Sequence, residues 1–148
     1  MKKTHFIARA EGFTLVEVAV ATAIIGVGVS ALLVSVGAGT RVNDDAQKLT
    51  QATFLAGEVR EWASNQTFAN LTALPSPTTY TPPHDGGGNV IADMANWSQK
   101  VTITARNPAD LSASVTAGTS DIVNVDVRIS FRGCEYLATS FLVTRRPG

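Results

Sequence analysis

Few side chains in this sequence are equipped for chemistry, and the one whose position most needs a reason is Glu17. It follows Phe13, Thr14, Leu15 and Val16 and directly precedes Val18 to Thr40, 23 consecutive residues without Lys, Arg, Asp, Glu or His. Inserting an acidic side chain at mid-membrane depth is unfavourable by about 2.5–3.5 kcal/mol, less near the interface, so an acid at this place calls for a partner. Its position alone leaves two readings open. Either Glu17 serves a partner charge, or it lies at headgroup level and favours the positive end of a helix dipole.

The rest of the reactive inventory is thin. His5 and His84 are the only histidines and Cys134 the only cysteine, which excludes an intrachain disulfide and a Cys-based zinc site. His84 and Cys134 lack the spacing and the third group that a thiol dyad needs. Asp110, Asp121 and Asp126 do not follow calcium-loop spacing and read as solvated strand positions. Asp85-Gly86-Gly87-Gly88 is not followed by the Lys-Ser/Thr of a phosphate cradle, and reads as loop. The acceptor-like triplets at Asn65, Asn70 and Asn96 are too short to carry chemistry. The expectation is therefore no catalytic residue, no metal, no cofactor and no enzyme.

Length and charge narrow the classes further. The chain has 148 residues, one domain's worth, with 12 basic and 12 acidic side chains and only 16% charged residues. No basic field exists to grip nucleic acid, so none is expected as a partner. Near the N-terminus Lys2, Lys3 and Arg9 outweigh Glu11, the layout that keeps this end in the cytoplasm and sends the C-terminus outside. Twenty-three residues at about 1.5 Å each span roughly 34 Å, enough for a hydrocarbon core of about 30 Å. The run is too long for a secretory signal peptide, and no cysteine near its end could carry a lipid.

Gly12-Phe13-Thr14-Leu15-Val16-Glu17, then Val18-Ala19-Val20-Ala21, set between a short basic leader and a long apolar helix, resembles the N-terminal signature of type IV prepilins and of type II secretion pseudopilins. That resemblance implies a leader at 1–12, removed by a membrane aspartyl peptidase on the cytoplasmic face that cuts between Gly12 and Phe13 and N-methylates Phe13. A side chain at Gly12 would crowd that peptidase. The resemblance also implies that Glu17 pairs with the new ammonium of a neighbouring subunit during assembly. Unlike charges about 4 Å apart attract by roughly 4 kcal/mol at an effective dielectric near 20, before desolvation is subtracted. Glu11 departs from the family's usual basic or neutral polar residue before the cut.

Within the family, the lack of paired C-terminal cysteines speaks against major pilins with a disulfide-bounded loop, and Glu17 speaks against the tip pseudopilin, which lacks this acid. The expectation is a structural subunit, a minor pilin or a minor pseudopilin of the I or V kind, with preference for type II secretion. Its implied partners are the prepilin peptidase, other pilins or pseudopilins through helix–helix packing, and an inner-membrane assembly platform. It is expected as a single-pass protein of the bacterial inner membrane with a periplasmic domain, assembled into a periplasmic pseudopilus or a surface pilus. The rival from another class is a bitopic protein with an uncleaved anchor and a small periplasmic binding or enzymatic domain.

The elements that must position these residues follow from periodicity. Thr22, Gly26 and Ser30 recur every four residues, as do Ala19 and Ala23, small faces on which another helix can approach. Gly26, Gly28, Gly37 and Gly39 each cost about 1 kcal/mol of helix stability relative to Ala in water, so loosening is expected there. Beyond Arg41, Val42, Ala46, Leu49, Ala52, Ala56, Val59 and Ala63, widened by Leu55 and Trp62, form a helical stripe. A helix from Phe13 to about Ala63, roughly 75 Å long, would be membrane-spanning to about residue 40 and amphipathic thereafter. We place the helix within 13–70 and a loop-and-sheet domain at 71–148. Leu71 to Asn89, with Pro75, Pro77, Pro82 and Pro83, reads as a long loop. Lys100–Arg106 and Val123–Phe131 alternate as strands, Arg132-Gly133 as a turn, and Tyr136–Thr144 as a returning strand. The expected fold is α+β and pilin-like, a long N-terminal transmembrane and amphipathic helix packed on a small antiparallel sheet.

Overall fold

The computed structural model describes residues 12–145; Lys2, Lys3, His5, Arg9 and Glu11 lie outside the described residues. Its first element, α1 (Leu15–Asn65), is a helix of 51 residues. The chain divides into two compact units, Met1–Asn43 and Asp44–Gly148.

In the first unit the described part of α1 is exposed on every side, with Ile24 67%, Val27 72% and Val34 74% exposed. Among the described helices α1 is the one long and apolar enough to cross a membrane. Its hydroxyl groups are internally satisfied. Thr22 Oγ1 donates to the Val18 carbonyl at 2.8 Å, Ser30 Oγ to Gly26 at 2.8 Å and Thr40 Oγ1 to Gly37 at 3.0 Å. The loosening expected at Gly26, Gly28, Gly37 and Gly39 is not observed, since α1 runs unbroken through all four. A cost of about 1 kcal/mol at each glycine is spread along a helix of 51 residues and does not interrupt it.

In the second unit the rest of α1 is followed by α2 (Phe68–Ala73), β1 (Thr78–Tyr80), a 3-10 turn at Ala92–Met94, β2 (Trp97–Asn107), β3 (Asp110–Ser114), β4 (Ile122–Phe131) and β5 (Cys134–Thr144). The sheet is antiparallel in the order β1-β2-β4-β5, and β3 also pairs with β2. The pairings Gln99↔Ile129, Val101↔Val127 and Ala105↔Val123 bring the inward residues of β2 and β4 side by side. Against them lie Ala52, Leu55, Ala56, Val59 and Ala63 of α1. Three alanines let the helix approach the sheet closely, and fully buried Leu55 contributes about 1.5–3 kcal/mol. The fold is α+β, a long N-terminal apolar helix that packs on a small antiparallel sheet through its second half, consistent with a pilin fold.

The structure departs from the expected stripe at its near end. Val42 and Leu49 stay 69% and 48% exposed, and the covered face begins only at Ala52. The cause is the length of the sheet: Lys48 already sits over the rings of Phe131 and Tyr136, 5.4 and 5.9 Å from their centroids, at the last residues of the sheet. Turns before Lys48, that of Val42 among them, have no sheet to cover.

Leu71–Asn89 is also more ordered than a plain loop. Thr67 caps α2 by accepting the Asn70 amide at 3.2 Å, which lets Leu71 enter the core with no exposure. Ser76 Oγ accepts the Ile103 amide at 2.8 Å and donates to its carbonyl at 3.0 Å, fixing the approach to β1 against β2. The turn between β4 and β5 is as expected. Arg132 and Gly133 have φ of 49° and 83°, the left-handed pair of a type I′ hairpin, and β5 begins at once with Cys134.

One buried polar side chain binds three segments together. Gln99, 1% exposed, accepts the His84 amide at 2.8 Å and donates to the carbonyls of Leu55 at 3.1 Å and His84 at 3.0 Å. Helix, loop and sheet share this amide. The loop beyond is shaped by Asp85, whose Oδ1 accepts the amides of Gly87 at 2.9 Å and Asn89 at 2.8 Å. These bonds, those from Asn89 foremost, hold the Asp85 carboxyl below its usual range.

Gln99→Leu strands the His84 amide and carbonyl, and is expected to cost about 2–3 kcal/mol in denaturant unfolding of the detergent-solubilised chain. Because the folded pKa of Asp85 is depressed, its contribution is present above the unfolded value and lost as pH falls through the folded one. Protection of the Gly87 and Asn89 amides, the exchange rate taken relative to the intrinsic rate at each pH, should therefore be unchanged from pH 7 to 5 and fall relative to neighbouring loops below about pH 4, and Asp85→Asn should abolish that extra dependence.

Candidate functional site

Gly12, Phe13 and Thr14 precede the helix in non-helical conformation, and all three are exposed. A Cβ placed on Gly12 would meet no atom within 4 Å, and its φ is not in the left-handed region. Neither packing nor backbone strain within the described residues asks for glycine at this position. Phe13 is 87% exposed, an aromatic ring with no cover from its own chain.

Thr14 and Glu17 are brought together at the first turn of α1. Glu17 Oε2 accepts the Thr14 amide and the Thr14 hydroxyl, both at 2.9 Å, and Thr14 Oγ1 accepts the Glu17 amide at 3.2 Å. This reciprocal exchange is a capping box. It satisfies donors that a helix start otherwise leaves orphaned, and it places the carboxylate against the positive end of the helix dipole. Oε1 has no hydrogen-bond partner among the described residues. The chemical capacity of the site is that of an anchored anion, half satisfied by its own chain, with one oxygen available to a donor or a cation.

Thr14 is the residue that sequence reasoning missed. The signal was present as Thr14-Leu15-Val16-Glu17, a Ser/Thr-x-x-Glu pattern opening an apolar run. Of the small faces, Gly26 is open, with nothing within 4 Å of an added Cβ. Thr22 and Ser30 turn their hydroxyls to their own backbone, which leaves their apolar sides for contact.

The other sequence candidates are not drawn to this site. The His84 ring lies tilted against Tyr80, centroids 4.4 Å apart, beside a small cavity of about 10 Å³ also lined by Val59, Trp62, Asp85, Gln99 and Val101. Cys134 is free and exposed at the start of β5. The three aspartates have separate surroundings: Asp110 accepts the Ser112 amide at 3.0 Å, Asp121 pairs with Arg145 at 3.0 Å, and Asp126 lies opposite Ser140 on β5. Hydrogen bonds from Ser112 hold the Asp110 carboxyl below its usual range.

Thr14→Val deletes the hydroxyl that donates to Glu17 and accepts its amide, at an expected cost of about 1 kcal/mol to the first turn. Hydrogen exchange of the Glu17 and Val18 amides, measured in a bilayer, should quicken about fivefold while amides near Val125 are unchanged.

The comparisons add one match. Residues 7–33, under a fifth of the chain, match the family described as the prokaryotic N-terminal methylation motif. No curated protein and no solved structure matches. The segment that holds Gly12, Phe13 and the Thr14–Glu17 box therefore carries the type IV pilin and pseudopilin signature, the prokaryotic N-terminal methylation motif.

Proposed function

We propose that this chain is a minor pilin or minor pseudopilin, made as a precursor and added through α1 to a type II secretion pseudopilus or a type IV pilus. The coarser statement, a type IV pilin-like subunit, is supported directly by the methylation motif. The observation that supports addition through α1 is the conjunction of that motif with an α1 exposed on all faces from residue 15 through residue 43, while the minor-subunit reading rests on the sequence argument. A helix apolar all round belongs in a membrane or among other helices.

In this reading the peptidase cuts between Gly12 and Phe13, and Gly12 is needed by the enzyme rather than by the fold. N-methylated Phe13 becomes the new terminus. Oε1 of Glu17 receives the ammonium of an adjacent subunit while Oε2 remains with Thr14. A buried carboxylate and ammonium are each tolerable chiefly when paired, so the contact fixes the register of neighbouring helices. The role is structural. Its partners are the prepilin peptidase, other pilins or pseudopilins, and an inner-membrane assembly platform; the second unit faces the periplasm. The preference for type II secretion rests on the sequence argument alone.

Co-expression with a prepilin peptidase, followed by intact-mass measurement, should show loss of residues 1–12 and gain of one methyl group. Gly12→Val should keep the leader, and Glu17→Ala should insert in the membrane normally yet enter filaments at least about tenfold less, equivalent to ~1.4 kcal/mol. An intact N-terminus in the wild-type chain would overturn processing and favour the uncleaved anchor.

A further inference from the structure

The β4–β5 hairpin breaks a local rule in a particular place. A type I′ turn wants Gly, Asn or Asp at both central positions, yet its first is Arg132, at φ 49°. A bulky residue held in this region points to a use for its side chain. Arg132 is exposed, its guanidinium carbon 5.3 Å from the Phe131 ring centroid, and it makes no ion pair among the described residues.

The hairpin's position in the second unit is fixed by α1. Lys48 lies over Phe131 and Tyr136, Leu55 bonds Gln99, and Arg60 lies 5.8 Å from the Phe141 ring, so α1 runs from the hairpin end of the sheet toward the β2–β3 end. The hairpin therefore sits where the chain arrives from its apolar segment. Lys48 follows Arg41, the first charge after that segment, by seven residues. This separation is about 10 Å as helix and at most roughly 25 Å fully extended. At the same end Phe131 and Tyr136, both half-buried, pack on buried Trp97 with centroids 5.0 to 6.4 Å apart, and Tyr136 is of a type that favours a membrane interface. The local charges are largely matched: Asp44 pairs with Lys48 and Glu135 with Arg128, while Asp45 has no ion pair among the described residues. Attraction to an anion accordingly rests on Arg132.

We propose that the Arg132–Gly133 hairpin is a second membrane contact, in which Arg132 binds the phosphate of a lipid headgroup in the leaflet from which α1 emerges. It rests on the membrane-anchored reading above. The guanidinium donates to phosphate oxygens while Phe131 packs beneath it, and the second unit is held against the bilayer before assembly.

The native Cys134 supplies the probe. A nitroxide on Cys134 of the full chain, in vesicles of phosphatidylethanolamine and phosphatidylglycerol, should be shielded from a water-soluble relaxant. A nitroxide at Ala109→Cys in a Cys134→Ser background, on the β2–β3 connection, should read as bulk water. Arg132→Asn suits the turn better and should melt no lower than wild type, yet reduce the contacting-to-free ratio about fivefold, the weight of one basic residue at an anionic surface. A Cys134 label as wet as that at Ala109, or shielding unchanged by Arg132→Asn, overturns the proposal. A label at Val27→Cys in the Cys134→Ser background separates the two readings: if it is in hydrocarbon while Cys134 is wet, this contact alone fails, and if it too is wet, the membrane anchor fails with it.

Discussion

The Glu17 carboxylate stands at the start of an apolar helix, and the hydrogen bonds from Thr14 make that position tolerable before any partner is present. Without them the acid would stand beside an apolar run with no local donor, and the helix would begin with orphaned amides beside it. The box leaves one oxygen uncommitted. The same group thus caps its own helix and keeps one oxygen free of its own chain among the described residues.

The two units satisfy α1 by different means. Up to Asn43 nothing in the described chain covers the helix, and its hydroxyls bond their own backbone, as those of Thr50, Thr53 and Ser64 do further along. From Ala52 to Ala63 small side chains are closed off by β2 and β4, where the hydrophobic effect of water supplies the driving force. Between them Lys48 caps the aromatic end of the sheet; its bond to Asp44 is the main cause that raises its pKa.

Polar constraints give this small core its uniqueness. Apolar pairing of β2 with β4 would tolerate sliding of α1 along the sheet, but Gln99 has donors and acceptors that match Leu55 and His84 at one register only. Ser76 does the same for β1. The β4–β5 hairpin, in contrast, accepts a residue its geometry disfavours, and Arg132 stands exposed where the chain enters the sheet domain.

Much of this was legible in the amino-acid order because it depends on neighbours in the chain. The apolar run, the stripe from Ala52 onward, the alternation of Val123–Phe131 and the Arg132-Gly133 turn each declare themselves through spacing of one to four residues, and so does the Thr14–Glu17 box once the pattern is sought. Other features were decided by groups far apart. β1 is three residues long and needs β2 to exist, α2 is held by the burial of Leu71, and the stripe is uncovered at Val42 because the sheet ends near Lys48. Periodicity reports which face of an element is apolar. How much of that face is covered, and what a buried amide such as Gln99 bonds to, is set by distant segments whose meeting no local pattern encodes.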